Sequence, residues 1–117
     1  MTGAVNAVGY DVNAACSGFV IAFHTAQAYI HSGICRTVLV IGAERMSRMV
    51  DWSDRGTCIL FGDGAGAVVV KAEEKGYCHM AAHSDGTKGE ALVGSTKSFL
   101  KMNGQEVFKF AVRKCRN

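Results

Sequence analysis

The first third of the chain combines short apolar runs with one amphipathic stretch. Residues 5–13 are mostly small, apolar or β-branched, a pattern that predicts a buried strand. Apolar side chains then recur at helical spacing and Gly33 supplies a C-terminal stop, so a helix is predicted over residues 17–32. Residues 37–42 are typical of a strand buried on both faces of an α/β sheet. Strand, helix and strand in this order predict a parallel crossover.

The pattern in the middle of the chain is dominated by polar residues and glycines. Residues 43–57 are polar and charged, which indicates a surface excursion. Apolar strands are predicted at 58–61 and 67–70, and the glycine run 62–66 between them is interpreted as a bend in which Asp63 caps local N–H groups. The glycines neither open a helix nor precede a Lys-Ser/Thr pair, so the run is neither a dinucleotide fingerprint nor a P-loop.

The last third of the chain is divided by turn signals. A charged turn is interpreted as an internal boundary, and a strand, an apolar run before a turn, and a helix are predicted after it. These features are the charged turn at 71–76, a strand at 77–84, a turn at 85–86, apolar residues 99–102 before a turn at 103–104, and a helix at 106–116.

Cys16 lies where the first predicted strand gives way to the first predicted helix. Unpaired N–H groups and the partial positive charge at a helix start stabilise a thiolate, the reactive form of cysteine. Ala14, Ala15 and Gly18 are small and leave room for a substrate. The carboxyl end of a strand is also where open α/β sheets bind ligands. Position alone favours a nucleophile and a buried small hydrophobe equally.

Five segments spread along nearly the whole chain resemble the beta-ketoacyl-acyl-carrier-protein synthase III family. They contain Cys16, the apolar run ending at Glu44, the stretch with Trp52 and Arg55, the glycine run, and the start of the last helix. Each segment alone is a weak match, but together and in this order they are highly specific. Their positions are 11–19, 38–44, 51–57, 61–67 and 102–109.

The resemblance implies an α/β, thiolase-like fold that is only partly present. Residues 1–72 would form the later part of the N-terminal half, which carries the nucleophile, and residues 73–117 the truncated start of the C-terminal half. Members of the family load an acyl group from coenzyme A onto the cysteine and condense it with malonyl on acyl carrier protein, which begins bacterial fatty acid chains. Acyl-CoA and malonyl-ACP are then substrates, no cofactor is implied, and a homodimer is expected at full length.

The resemblance also assigns roles to one cysteine and two cationic residues. Cys16 would be the acylated nucleophile, with its own backbone N–H helping to hold the oxyanion. Arg55 would contact the nucleotide end of coenzyme A, whereas the alternative is a salt bridge to Asp51 or Asp54. Lys109 would meet the acidic carrier protein or coenzyme A phosphates, whereas the alternative is a solvated basic face on the last helix.

Four further residues are expected to border the substrate. Phe61 would form a pocket wall, and Met102, Gly104 and Phe108 would border the acyl and pantetheine tunnel. The family's catalytic His and Asn come from segments with no match here, and the proline-containing stretch expected at 89–101 is shorter and lacks proline. This chain is therefore expected to perform at most the acyl-transfer half-reaction, with negligible condensation.

Composition excludes several other classes of protein. A net charge of +3 is too small to indicate a nucleic-acid partner, and five cysteines without a Cys-x-x-Cys pair argue against a disulfide framework or a zinc knuckle. His79 and His83 lie four apart without an accompanying Glu, so no metal is predicted. No signal peptide or membrane-length apolar run is present, which leads us to expect a cytoplasmic location without membrane partners.

Two alternatives to the fatty acid synthase interpretation stay open. The chain could belong to another thiolase-fold acyltransferase of secondary metabolism, which would share Cys16 but use a different acyl donor. It could instead be a non-catalytic truncated remnant that needs a partner, or that aggregates through an uncovered apolar face. The strand before the nucleophile lies at the homodimer interface in the family, so residues 5–12 are expected to drive association.

Overall fold

Two helices and four strands form the secondary structure of the computed structural model, which describes residues 3–76, 78–95 and 97–114. Strand β1 pairs with β2, and β3 pairs with β4 in an antiparallel hairpin. Short 3-10 turns cover Ala15–Ser17, Met46–Arg48 and Gly86–Ala91. The elements are α1 (Gly18–His31), β1 (Thr37–Arg45), β2 (Asp63–Lys71), β3 (Leu92–Ser95), β4 (Ser98–Met102) and α2 (Gly104–Lys114).

The chain packs as two units. One consists of Met1–Gly42 with Gly66–Tyr77, and the other of Ala43–Ala65 with Cys78–Asn117. The first contains α1 and most of the β1–β2 sheet, and the second contains the β3–β4 hairpin and α2. These units do not test the division into family halves at 72 and 73, which stays a prediction.

The first helix confirms the prediction at 17–32 and its glycine stop. Gly33 has φ +72°, and its N–H donates to the carbonyl of Ile30 at 3.0 Å. A left-handed residue directly after the last turn satisfies carbonyls that have no partner within the helix, and glycine adopts it without strain. Ala26 is the buried residue of α1.

Strand β1 confirms the strand predicted at 37–42 and extends it to Arg45. Val40 is buried, while its neighbours Leu39 and Ile41 are exposed. A Cβ on Gly42 would lie 3.1 Å from Cδ2 of Phe19, so the ring of Phe19 from α1 lies directly against the strand. One face of β1 is therefore covered by α1, and the prediction of burial on both faces is wrong.

Residues 63–66 of the glycine run lie inside β2, together with the strand predicted at 67–70, which corrects the predicted bend at 62–66. Residues 58–61 are not a strand either, because local turns use their N–H groups. The N–H of Cys58 donates to the carbonyl of Asp54 at 2.9 Å, and that of Leu60 to the carbonyl of Thr57 at 3.0 Å. N–H groups committed to such turns are not available for a sheet.

Two other predicted strands are not formed in the described residues. Residues 5–13 are extended or turned, and Val5 and Val8 are each 91% exposed. Residues 78–84 are irregular, and Tyr77 lies outside the described residues. A strand requires a neighbour for its N–H and C=O groups, and none pairs with these segments in the described part of the chain. The predicted parallel crossover is therefore not formed here.

The β3–β4 hairpin organises the second unit. Leu92 pairs with Met102, and the N–H of Leu100 donates to the carbonyl of Met49 at 2.8 Å. Leu100 and Val50 are buried together with the polar Thr57. The apolar run at 99–102 is thus strand β4, whereas β3 was not predicted because its Leu-Val-Gly-Ser sequence is short and weakly patterned.

The second helix confirms the prediction at 106–116 over its described length and begins at Gly104. The predicted turn at 103–104 is instead the start of this helix, since Oδ1 of Asn103 accepts the N–H of Glu106 at 3.3 Å. None of the helices in the described residues has the length and apolar character required to cross a bilayer.

Candidate active site

Cys16 lies in the 3-10 turn that leads into α1, and its side chain is exposed. The residue before it, Ala15, has φ +46°, a left-handed conformation that is uncommon for any residue with a Cβ. Oδ1 of Asn13 accepts the N–H of Ala15 at 3.3 Å, and the N–H of Ser17 donates to the carbonyl of Ala14 at 3.1 Å. This sharp turn presents the thiol at the start of the helix, as the sequence predicted.

The N-terminus of α1 is not capped by a protein side chain. Ser17 occupies the cap position without a side-chain hydrogen bond, and the first turn contains no acidic residue. The first N–H groups of a helix have no intrahelical partners, and they carry partial positive charge. An anion beside Cys16, whether a thiolate or an oxyanion, would therefore meet this partial positive charge and N–H groups that no described side chain caps, although the N–H of Gly18 already donates to the carbonyl of Ala15.

Arg55 lies in a turn between β1 and β2 in which both neighbouring carboxylates are already bonded. Oδ1 of Asp51 accepts the N–H and the hydroxyl of Ser53 at 2.9 and 2.7 Å. The Ser53 hydroxyl, and then its N–H, lower the pKa of Asp51. Asp54 bonds Gly56 and Thr57 in a similar way. Neither carboxylate makes a salt bridge to Arg55 in the described residues.

Arg55 is exposed and makes no ion pair among the described residues. Trp52, three residues earlier, is also exposed. An exposed planar cation suits phosphate oxygens or the face of a base. The structural alternative for Arg55, an ion pair within its own loop, is thus not observed.

Lys109 forms an ion pair that the sequence analysis did not predict. Its Nζ donates to Oε1 of Glu106 at 3.0 Å on α2, and Lys88 from the Gly86–Ala91 turn bonds the other oxygen. These bonds, that of Lys88 first, lower the pKa of Glu106 to about 2. One carboxylate is thus shared by two half-exposed lysine side chains, and part of the donor capacity of Lys109 is already used.

The predicted tunnel residues are spread over three elements of the second unit. Phe61 is half-buried before β2, Met102 is half-buried at the end of β4, and Phe108 is exposed on α2. A Cβ on Gly104 would lie 3.7 Å from the methyl group of Met102, so the structure brings these two residues together. Their roles as substrate contacts stay predictions.

The sequence analysis did not predict the structural roles of three residues that shape the site. Ala15 has the left-handed conformation, Asn13 bonds its N–H, and Asp54 holds the turn around Arg55. The side chain of Asn or Asp often accepts the backbone N–H two residues later in a turn, and this local signal could have located Asn13 and Asp54. The left-handed conformation of Ala15 has no such signal, because alanine is not a residue type that favours positive φ. Among the described residues, no cluster of His, Cys, Asp and Glu could hold a metal ion.

Comparison with known proteins identifies the family of the chain. Residues 10–86 match the family described as 3-oxoacyl-[acyl-carrier-protein (ACP)] synthase III. The chain belongs to this family. The match extends from just before Cys16 through the Arg55 turn and both strands of the first sheet, which confirms the family that the sequence resembles.

Curated synthase III relatives match almost the whole chain. It is 51% identical to a beta-ketoacyl-[acyl-carrier-protein] synthase III of Xylella fastidiosa and 48% identical to one of Synechococcus sp.. Each match covers 95% of this chain but 38% of the relative. The chain thus spans well under half the length of the curated synthases it matches.

Solved synthase III structures share the fold. A 3-oxoacyl-[acyl-carrier-protein] synthase III from Aquifex aeolicus VF5 is 43% identical, with a TM-score of 0.79 over 92% of this chain and 35% of that one. The priming beta-ketosynthase of the R1128 polyketide pathway is 36% identical, with a TM-score of 0.82 over 97% of this chain and 38% of that one. The predicted fold, a partial α/β thiolase-like fold, is confirmed.

Proposed function

We propose that this chain is the acyl-accepting part of a beta-ketoacyl-ACP synthase III. The Cys16 thiolate attacks the carbonyl carbon of an acyl-CoA thioester, and the carbonyl electrons move onto oxygen. Collapse of this oxyanion expels coenzyme A as its thiolate and leaves the acyl group on Cys16 as a new thioester. The exposed Cys16 thiol at an uncapped helix start, within a segment matched by the family, is the observation that carries the proposal.

The backbone at the start of α1 stabilises the oxyanion in this proposal. The N–H groups of Cys16 and of the first helical turn point toward the N-terminal end of the helix, but that of Gly18 already donates to the carbonyl of Ala15. Neither an acidic residue nor a side-chain cap competes for them in the described turn. Acyl-CoA is a substrate, and no cofactor is proposed.

Two cationic residues serve binding in this proposal. Arg55 meets the nucleotide end of coenzyme A, and its exposure without an ion pair among the described residues supports that role. Lys109 contacts acyl carrier protein in this proposal, and the exposure of its side chain on α2 supports that role. Phe61, Met102, Gly104 and Phe108 are proposed to border the acyl and pantetheine groups.

The condensing step is proposed for the whole protein and not for this chain alone. In the whole protein, malonyl-ACP loses CO₂, and the resulting carbanion attacks the acyl thioester on Cys16, which releases the Cys16 thiolate and forms ketoacyl-ACP. This step, in a cytoplasmic homodimer, initiates fatty acid synthesis. The chain spans 38% of its relatives, so we expect no detectable ketoacyl product from the isolated chain.

Incubation with acetyl-CoA tests the acyl-accepting role directly. Intact-mass and peptide mapping should locate one acetyl group on Cys16, and Cys16→Ala should abolish it. Cys78→Ala is the matched control, because Cys78 is also exposed but lies outside any helix start. Acetylation that persists in Cys16→Ala, or that depends equally on Cys78, would show that Cys16 is not the acceptor.

A second candidate function is supported by the likeness to the R1128 priming ketosynthase. In that case Cys16 would be acylated in the same way, but the donor would prime a polyketide. Profiling with acyl-CoA donors of increasing length and branching distinguishes the two, since preference for acetyl-CoA favours the fatty acid role.

A further inference from the structure

The backbone around Arg55 is held by the residue that precedes it. Oδ1 of Asp54 accepts the N–H of Gly56 at 2.9 Å, and Oδ2 accepts the hydroxyl of Thr57 at 2.8 Å. The carbonyl of Asp54 also accepts the N–H groups of Thr57 and Cys58 at 3.2 and 2.9 Å. Arg55 thus lies between Asp54, which accepts these bonds, and the residues that donate them. Its backbone is fixed on both sides.

The burial of Thr57 and the close packing at Gly56 make this turn depend on the side chain of Asp54. Thr57 is 1% exposed, so its hydroxyl needs a protein partner, and Asp54 supplies one. A Cβ on Gly56 would lie 3.1 Å from Oδ1 of Asp54, a distance at which the carboxylate would have to move. The carboxylate of Asp54 therefore fits this turn closely. Removing it takes the acceptor from the N–H of Gly56 and leaves the buried Thr57 hydroxyl only its longer bond, 3.4 Å, to the carbonyl of Asp54.

The same bonds leave Arg55 free to bind a ligand. Asp54 directs both oxygens at Gly56 and Thr57, and Oδ1 of Asp51 accepts both bonds from Ser53. The carboxylates nearest in sequence thus shape the loop instead of neutralising the guanidinium. A binding group held in one orientation before the ligand arrives loses less entropy on binding.

We propose that Asp54 is a positioning residue, which fixes the turn so that Arg55 meets the phosphates of a nucleotide, here the nucleotide end of coenzyme A. The inference rests on the proposed function, in which Arg55 binds that end of the substrate. Asp54 itself does not touch the ligand in this arrangement. Its contribution passes through the backbone of the Arg55–Gly56–Thr57 turn.

The test is the affinity of the 117-residue chain for coenzyme A, followed by the fluorescence of Trp52, the single tryptophan of the sequence. Arg55→Ala should weaken binding about tenfold, as expected for loss of a charge-assisted bond to phosphate. Asp54→Ala should weaken binding by a similar factor. Asp54→Asn keeps an oxygen acceptor for Gly56 and should retain most of the affinity. Asp54→Ala should have no further effect when Arg55 is already alanine.

Asp85→Ala is the matched control. Asp85 accepts the N–H and hydroxyl of Thr87 at 3.0 and 2.6 Å in a turn of the same kind, without an arginine between them. Its loss should leave affinity unchanged. Equal losses from Asp85→Ala and Asp54→Ala, or an Asp54→Ala effect that is undiminished in Arg55→Ala, would show a general structural effect and overturn the inference.

The remaining outcomes separate the inference from the proposed function. If the unchanged chain does not bind coenzyme A, or if Arg55→Ala binds it equally well, the nucleotide role of Arg55 is wrong and the inference is lost with it. If Arg55→Ala weakens binding but Asp54→Ala does not, the role of Arg55 stands and the inference about Asp54 is wrong. A loss in Asp54→Asn as large as in Asp54→Ala also overturns it.

Discussion

At the scale of single residues, the left-handed backbone of Ala15 is the most unusual feature beside the nucleophile. A Cβ at φ +46° is strained, and glycine removes that strain. Ala15→Gly should raise the free energy of unfolding by about 1 kcal/mol, measured by urea denaturation. Ala22→Gly, in the interior of α1, should lower it by a similar amount. A less stable Ala15→Gly chain would show that the strain is not present in solution.

Glu106 is the residue whose ionisation the structure perturbs most clearly. Bonds from Lys88 and Lys109 lower its pKa to about 2. Because the folded value is depressed, the ion pairs stabilise the fold above the ordinary pKa of Glu and are lost as the pH falls through about 2. An NMR titration of the carboxyl carbon should show this low midpoint.

Lys88→Ala tests the cause of that shift. Removal of the first contributor should raise the midpoint of Glu106, whereas Lys97→Ala, an exposed lysine in the β3–β4 hairpin, should not. A midpoint that stays low in Lys88→Ala would contradict the bond between Lys88 and Glu106.

At the scale of elements, the start of α2 depends on Asn103. Its Oδ1 accepts the N–H of Glu106, which has no partner within the helix. Asn103→Ala should lower the free energy of unfolding by about 1 kcal/mol, while Asn103→Ser should retain most of it. Gln105→Ala, an exposed change in the same turn, should have little effect. Equal stability of Asn103→Ala and the unchanged chain, again by urea denaturation, would exclude a capping role.

The sequence predicted those elements whose backbone N–H and C=O groups find their partners within the same segment. Both helices were recovered, because hydrogen bonds within a helix need no outside partner and Gly33 marks the end of α1. The strands at 5–13 and 78–84 were not formed, because a strand is completed by a neighbour. Residues 58–61 are apolar like a strand, but turns anchored on Asp54 and Thr57 use their N–H groups.

At the scale of the whole molecule, many large apolar side chains are exposed. Val5 and Val8 are the most exposed of these, just before the nucleophile turn. Apolar surface of this kind promotes association. We expect sedimentation velocity to show concentration-dependent association of this chain, which Val8→Lys weakens. Asn6→Lys, an exposed neighbour given the same charge, is the control.

The sedimentation result shows whether residues 5–12 drive association through their apolar side chains. Equal weakening by Asn6→Lys and Val8→Lys would attribute association to charge rather than to this apolar segment. A monomer at all concentrations would contradict the prediction that residues 5–12 drive association.

The sequence by itself determined the family, both helices, β1, and the position of Cys16 at a helix start. These depend on local periodicity, on Gly33 and on motifs read in order along the chain. Only the tertiary structure decided that residues 63–66 of the glycine run begin β2 and that α1 covers one face of β1. It also decided that Asp54 bonds its own turn and not Arg55. The physical reason is that strand pairing, burial and the choice of a carboxylate's partner depend on groups brought together by folding, which no local pattern contains.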